Sequence, residues 1–151
     1  MELVGYPARI FKDEDDPAGG YLVQFVGLGG GEPWIMTDGE SPEDARAMAV
    51  ECLTGYILSA DSLSVLESPR LPEEGEEMVY PDLPVALALT IRRMRATANL
   101  SQAEAAKRVG VGQSTYSRWE HPELCNATVD TIQKIARAFG RRVEMSFPEA
   151  S

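Results

Sequence analysis

In the first half of the chain the apolar positions mostly follow a period of two. LVGYPARIF (3–11) sets Tyr6, Ala8 and Ile10 on one side, the spacing of a half-buried strand. KDEDDPAGG (12–20) is acidic and turn-rich. YLVQFVGL (21–28) then resumes as a strand apolar enough to be central, so the two predict a hairpin with a long loop. GGGEP breaks the chain, and WIMT (34–37) reads as a third short strand. At Ser41 the period changes. Ser41-Pro42-Glu43-Asp44 is a helix start: a hydroxyl cap, a proline in the first turn and two carboxylates near the positive end of the dipole. Ala45, Met48, Ala49, Cys52, Leu53, Tyr56 and Ile57 then recur at helical spacing, a core stripe rather than a cofactor box. Proline and carboxylates make 62–77 loop-like, and MVY (78–80) is a last strand. Three strands, a helix and a strand predict an α+β layer, one helix on a small antiparallel sheet.

The second half is helical. In LSQAEAAKRVGVGQSTYSRWE (100–120), Ser101 and Glu104 form a capping box, and Ala105, Ala106 and Val109 supply the inner face of a short helix. Gly110 can take the left-handed conformation that ends it, and Val111 plugs the corner. A second helix runs from about Gln113 to Glu120, with Tyr116 and Trp119 on its inner face. Gln113, Ser114, Thr115, Ser117 and Arg118 are left for other faces, where they can bond base edges or phosphates. A hairpin that merely packs would not need polar side chains there. After Gly140, RRVEMSF alternates Val143, Met145 and Phe147, which predicts a C-terminal strand. Such a strand leaves an unpaired edge, met either by its own domain or by the same strand of a second subunit.

A length of 151 residues allows one large or two small domains. Charge favours two. Residues 1–80 hold 4 Lys and Arg against 17 Asp and Glu, a formal −13, whereas 81–151 hold 10 against 7, or +3. Boundaries at 1–81 and 82–151 follow, with few core contacts expected for the proline-rich stretch 68–84. Arg92, Arg93, Arg95, Lys107, Arg108, Arg141 and Arg142 can supply phosphate contacts. The acidic half cannot be a DNA surface. It suits a basic partner, or it simply keeps the domain soluble. Cys52 reads as a buried free thiol and Cys125 as a loop residue, with no disulfide framework and no zinc site. No cofactor or metal is predicted. GLGGGEP lacks the lysine and helix start of a phosphate loop. With no signal peptide and no membrane-length apolar run, the expectation is a soluble, cytoplasmic chain. No convergent carboxylates and no nucleophile beside His121 point to an enzyme.

Residues 84–147 resemble the Xre/phage-repressor group of helix-turn-helix domains. The likeness rests on Ser101-Gln102, Ala106, Gly110-Val111, Ser117-Arg118 and Glu120, and on Thr131, Ile135, Ala136, Ala138, Phe139 and Gly140. It implies a phosphate contact for Gln102 and a major-groove position for Gln113, Ser114 and Arg118. Gly112 stands where that group usually has a Ser or Thr cap. GGYLVQFVGL, TDGESPEDARAMAVECLTGYI and the join MVYPDLPVALALT resemble HicB antitoxins, in one branch of which the domain precedes a helix-turn-helix. Val26 to Gly31 departs from that family's usual Pro-Asp-hydrophobic-Pro-Gly-Cys-like segment. The resemblance implies a partial RNase-H-like N-terminal domain that binds a small basic HicA-like ribonuclease toxin. It implies a C-terminal domain that binds the operator of its own operon, and toxin contacts at Asp13, Glu14, Asp15 and Asp16 fit its acidic loop. Homo-oligomerisation is expected, as a dimer through the C-terminal domain or a tetramer. The alternative is a stand-alone transcription regulator whose N-terminal domain senses a small molecule.

Overall fold

The computed structural model describes residues 3–28, 34–60, 70–147 and 149. The expected break at 29–33 and most of the loop at 61–69 lie outside them. Strands β1 (Tyr6–Lys12), β2 (Tyr21–Phe25), β3 (Trp34–Gly39) and β4 (Glu77–Val79) form one antiparallel sheet in the order β3-β2-β1-β4. Helix α1 (Pro42–Ser59) lies on one face of it. Ser41 caps α1 as its sequence predicts, its Oγ accepting from the Asp44 amide at 3.1 Å, with Pro42 in the first turn. Ala45, Ala49, Leu53 and Ile57 form the buried stripe against Tyr6, Ala8, Val23 and Phe25. Gly39 is needed for this packing. A Cβ there would stand 2.4 Å from the Ala45 nitrogen, inside any allowed contact.

The expected division at 81/82 falls at the start of helix α2 (Leu83–Thr97), and α2 serves both halves. Its Val85 and Leu89 complete the core of the sheet domain, and its Ile91, Leu87 and Met94 pack in the helical domain. Two polar ties reinforce the seam. The Val4 amide donates to buried Thr90 Oγ1 at 3.0 Å, and the Asp82 amide donates to Thr54 Oγ1 at 2.9 Å. The proline-rich approach to α2 is also more structured than expected. Val79 and Pro81 are buried, and Arg70 forks onto Glu76 at 2.7 and 2.8 Å.

The helical domain adds α3 (Gln102–Val109), α4 (Gln113–Trp119) and α5 (Val129–Ala138). Ile91, Ala105, Ala106, Val109, Tyr116, Trp119 and Ile135 form its core. α2 stops at Asn99 (φ 55°), where the Leu100 amide reaches back to the Arg95 carbonyl at 3.3 Å. α5 stops at Gly140 (φ 68°), where the Arg141 amide reaches the Ala136 carbonyl at 2.8 Å. The C-terminal strand is a correction. Residues 141–147 form no strand, and Val143, Met145 and Phe147 are exposed. The alternating pattern has no neighbouring edge within the described residues of one chain, and a strand without a ladder partner gains nothing over solvent. Cys52 is a second, smaller correction, since it is only half-buried. No described helix is long and apolar enough to cross a membrane.

Candidate nucleic-acid interface

The turn between α3 and α4 is built from short-range rules. Ser101 Oγ accepts from the Glu104 amide at 3.1 Å, and Glu104 returns the bond to the Ser101 amide at 3.2 Å. The bond from the Ser101 amide, above all, and the Ser101 hydroxyl beside it hold the Glu104 carboxyl below its usual range. Gly110 takes φ 88°, and the Val111 amide closes back onto the Ala106 carbonyl at 3.0 Å. Gly112 precedes α4 in an extended conformation and gives no side-chain cap.

α4 is anchored by Tyr116 and Trp119, whose rings meet edge-on at 5.9 Å. With that side fixed inward, Gln113, Ser114, Thr115 and Arg118 are exposed and Ser117 is half-buried. Four of the five predicted α4 positions are therefore open to a groove, and the fifth lies at its margin. Burial raises the Tyr116 phenol far above its normal range, and the neighbouring Glu120 carboxylate raises it further.

The end of α4 is locked by a pair that sequence reading missed. Arg95 at the end of α2 donates Nε to Glu120 Oε2 at 2.7 Å and an Nη to Oε1 at 3.0 Å. Its other Nη donates to the Leu100 carbonyl at 2.9 Å. Glu120 is 3% exposed. A forked, charge-assisted pair in low dielectric fixes both angle and position. Gln102, the predicted phosphate contact, donates Nε2 to the same Glu120 at 3.3 Å and is half-buried. Its amide is thus held between α3 and α4, with its second N–H available outward. Arg95 is one of three arginines in α2, and nothing in the sequence singles it out as the partner of Glu120.

Lys107, Arg108, Arg118, Arg141 and Arg142 are exposed, and Arg92 and Arg93 are half-buried. Arg108 lies 6.0 Å from the Phe139 ring centre, and Arg142 pairs with Glu144 at 2.7 Å on the surface. His121 follows α4 and accepts from the Glu123 amide through Nδ1 at 3.3 Å, a turn role. Cys125 is buried in the next loop, where burial pushes its thiol up.

Residues 91–145 match the helix-turn-helix family. The C-terminal part is a DNA-binding helix-turn-helix domain, and the chain that carries it is a DNA-binding transcriptional regulator. In this helix-turn-helix, α3 is the supporting helix and α4 the recognition helix. No curated protein matches the chain.

The other predicted site residues lie in the β1–β2 turn. Asp13 and Asp16 are turn builders: Asp13 Oδ1 accepts from the Asp15 amide at 3.0 Å, and Asp16 accepts from the Ala18 and Gly20 amides at 2.9 Å. Glu14 and Asp15 are exposed. The turn lies beside the end of β3, since Lys12 pairs with Tyr21 and Tyr21 with Gly39. Asp38, Glu40, Glu43 and Asp44 therefore join Asp13 to Asp16 at one end of the sheet. Three segments separate in sequence make one acidic pole. Among the described residues no group of His, Cys, Asp and Glu is arranged to hold a metal.

Proposed function

We propose that this regulator is the antitoxin of a type II toxin–antitoxin pair. Its sheet domain covers a small basic HicA-like RNA-cutting toxin, and its helix-turn-helix represses the operon that encodes both. The observation that carries the reading is the opposition of two surfaces on one chain. One end presents the polar face of α4 with Lys and Arg around it; the sheet domain presents an acidic pole of eight carboxylates. DNA and RNA are repelled by that pole, and a basic RNA-binding protein is attracted to it.

The reading includes a dimer. Val143, Met145 and Phe147 are exposed in a segment that alternates like a strand. Pairing with the same segment of a second copy covers these side chains and sets two recognition helices about 34 Å apart, one turn of DNA. The deciding experiment is co-expression with the small basic protein encoded beside this chain. Growth arrest by that protein alone, relieved on co-expression, with co-purification of the two and binding of their promoter, is the expected result. A neighbour that neither arrests growth nor binds would end the antitoxin reading.

One observation favours the second reading, a regulator that senses a small molecule. A groove of about 570 Å³ lies between Thr54 and Leu58 of α1, residues 82–85 at the start of α2, and Pro122 and Glu123 after α4. A ligand there would touch both halves. Operator affinity that changes with a metabolite pool, in the absence of any protein partner, would favour it.

A further inference from the structure

α1 covers one face of the sheet, and the opposite face is left with an unusual composition. Residues directly opposed on neighbouring antiparallel strands point to the same side. Phe11 pairs with Leu22, and Leu22 pairs with Asp38, so these three form a row across β1, β2 and β3. In the next row Arg9 pairs with Gln24, and its guanidinium reaches Glu76 at 3.6 Å. Pro7 and Met78 form the third. Strand alternation puts all of them opposite Tyr6, Ala8, Val23 and Phe25, which face α1. Pro7 and the Glu76 side chain are already covered, whereas Phe11 is 39% exposed and Leu22 and Met78 are half-buried, so among the described residues the open part of the face is its Phe11 end.

The Phe11 row lies at the acidic end of the sheet. Asp38 is in the row itself, and the turn from Asp13 to Asp16 follows Phe11 by two residues. An open aromatic and a leucine bordered by carboxylates on the turn side, with Arg9 and Gln24 in the row behind, have the anatomy of an interface: an apolar anchor with a charged rim. The charges in the middle of the face are already satisfied. Glu76 takes both Nη groups of Arg70 and lies within 3.6 Å of Arg9, so covering this region strands no lone charge.

We infer that the Phe11 end of this sheet face, open among the described residues, with Phe11 as its anchor and Leu22 beside it, is where a basic protein partner docks. The partner presents an apolar contact surrounded by Lys and Arg. Nucleic acid is excluded by the carboxylates, and a flat strand pair offers a small cation nothing to enclose it. The inference rests on the antitoxin reading and adds the place where the toxin sits.

The probe is the small basic protein encoded beside this chain, titrated into the full-length protein. Phe11→Ala and Leu22→Asn should each weaken binding at least about tenfold, mainly through faster dissociation. Replacing Glu14, Asp15 and Asp38 by their amides should slow association and flatten its salt dependence. Both apolar variants should keep wild-type operator affinity, which reports an intact fold. As an independent measurement, a photoreactive benzoylphenylalanine in place of Phe11 should crosslink to the bound protein, and the same group in place of exposed Leu58 on α1 should not. Wild type that fails to bind the neighbour at any salt overturns the antitoxin reading itself. Wild type that binds, with both apolar variants within twofold of it or with crosslinking from position 58 rather than 11, overturns this surface alone.

Discussion

Arg118 and Glu120 stand two residues apart at the end of α4 and face opposite ways. Arg118 is exposed on the face of α4 proposed to read DNA; Glu120 is buried and holds the helix to Arg95. Arg118→Ala should therefore cost about 1–3 kcal/mol of specific operator affinity while leaving the fold unchanged. Band-shift titration against operator and scrambled DNA checks it, and equal affinity to wild type would remove Arg118 from base reading. Glu120→Ala should act through the fold, since it removes the carboxylate that takes two of the donors of half-buried Arg95, a loss of about 3–5 kcal/mol. Thermal melting reads that change without DNA. A third residue sets an acid limit. Arg70 and the Glu73 amide hold Glu76 down to about 2, from an ordinary 4.5. A carboxylate with a depressed folded-state pKa contributes its full stability above its unfolded value and loses it as pH falls toward the folded one. Stability should thus decline between about pH 4.5 and 2, and Glu76→Gln should flatten that limb in acid titrations of the melting temperature. At this scale the sequence was legible wherever partners are close. The Ser101–Glu104 box and the Ser41 cap were readable because three residues separate donor from acceptor. Arg95 and Glu120 lie 25 residues apart, and nothing in the intervening pattern announces that they meet.

Elements were legible to the degree that burial has a period. α1 and α3 begin at the caps their sequence predicted, and α3 ends at the predicted Gly110, because these carry their own start and stop signals. α2 was harder. Its two ends belong to different cores, so its apolar residues occupy two faces and the single-stripe pattern blurs. The charge switch at residue 81 was real, but charge is a surface property and did not mark where packing divides. The consequence is mechanical: the halves share a helix. Leu89→Ala should cost about 2–5 kcal/mol, since the side chain is fully buried between α2 and the sheet domain. Unfolding followed by far-ultraviolet dichroism and by Trp119 fluorescence, read in a Trp34→Phe background because the chain has two tryptophans, should shift together, and two separate transitions would show that α2 does not couple the halves. A fragment cut after Pro81 loses Val85 and Leu89 from its core and should be less stable than one cut after Asn99. The C-terminal segment failed as a strand for a related reason. Alternation specifies which side chains share a face, and an edge to pair with has to come from elsewhere. If the proposed dimer forms through this segment, Met145→Asp and Phe147→Asp, both at exposed positions, should leave the folded monomer unchanged and shift the sedimentation of the protein from dimer to monomer.

Across the whole molecule, charge is sorted in a way that links the two proposed partners. The first 80 residues carry −13, and eight of their carboxylates are gathered at one end of the sheet. With the two halves sharing a helix, that charge is carried to DNA with α4, and whatever part of it comes within a Debye length, about 8 Å at physiological salt, raises the energy of approach. On the proposed antitoxin reading, a basic toxin seated on the sheet domain would neutralise much of it and bring cations toward the phosphates. The toxin complex should therefore bind the operator more tightly than the antitoxin alone, provided the dimer is intact. The gain should shrink as salt rises, because both the lost repulsion and the added contacts are electrostatic. Removing the charge by mutation should imitate the toxin in part. Glu14→Gln with Asp15→Asn leaves the turn-building Asp13 and Asp16 in place, and should raise the operator affinity of the unbound antitoxin and narrow its difference from the complex. Operator affinity measured with and without toxin, from low to physiological salt and with oligomeric state monitored, tests this directly. Equal affinities at low salt would mean that the acidic half is too far from the phosphates for its charge to be felt, and that the toxin acts on DNA binding by some contact or not at all.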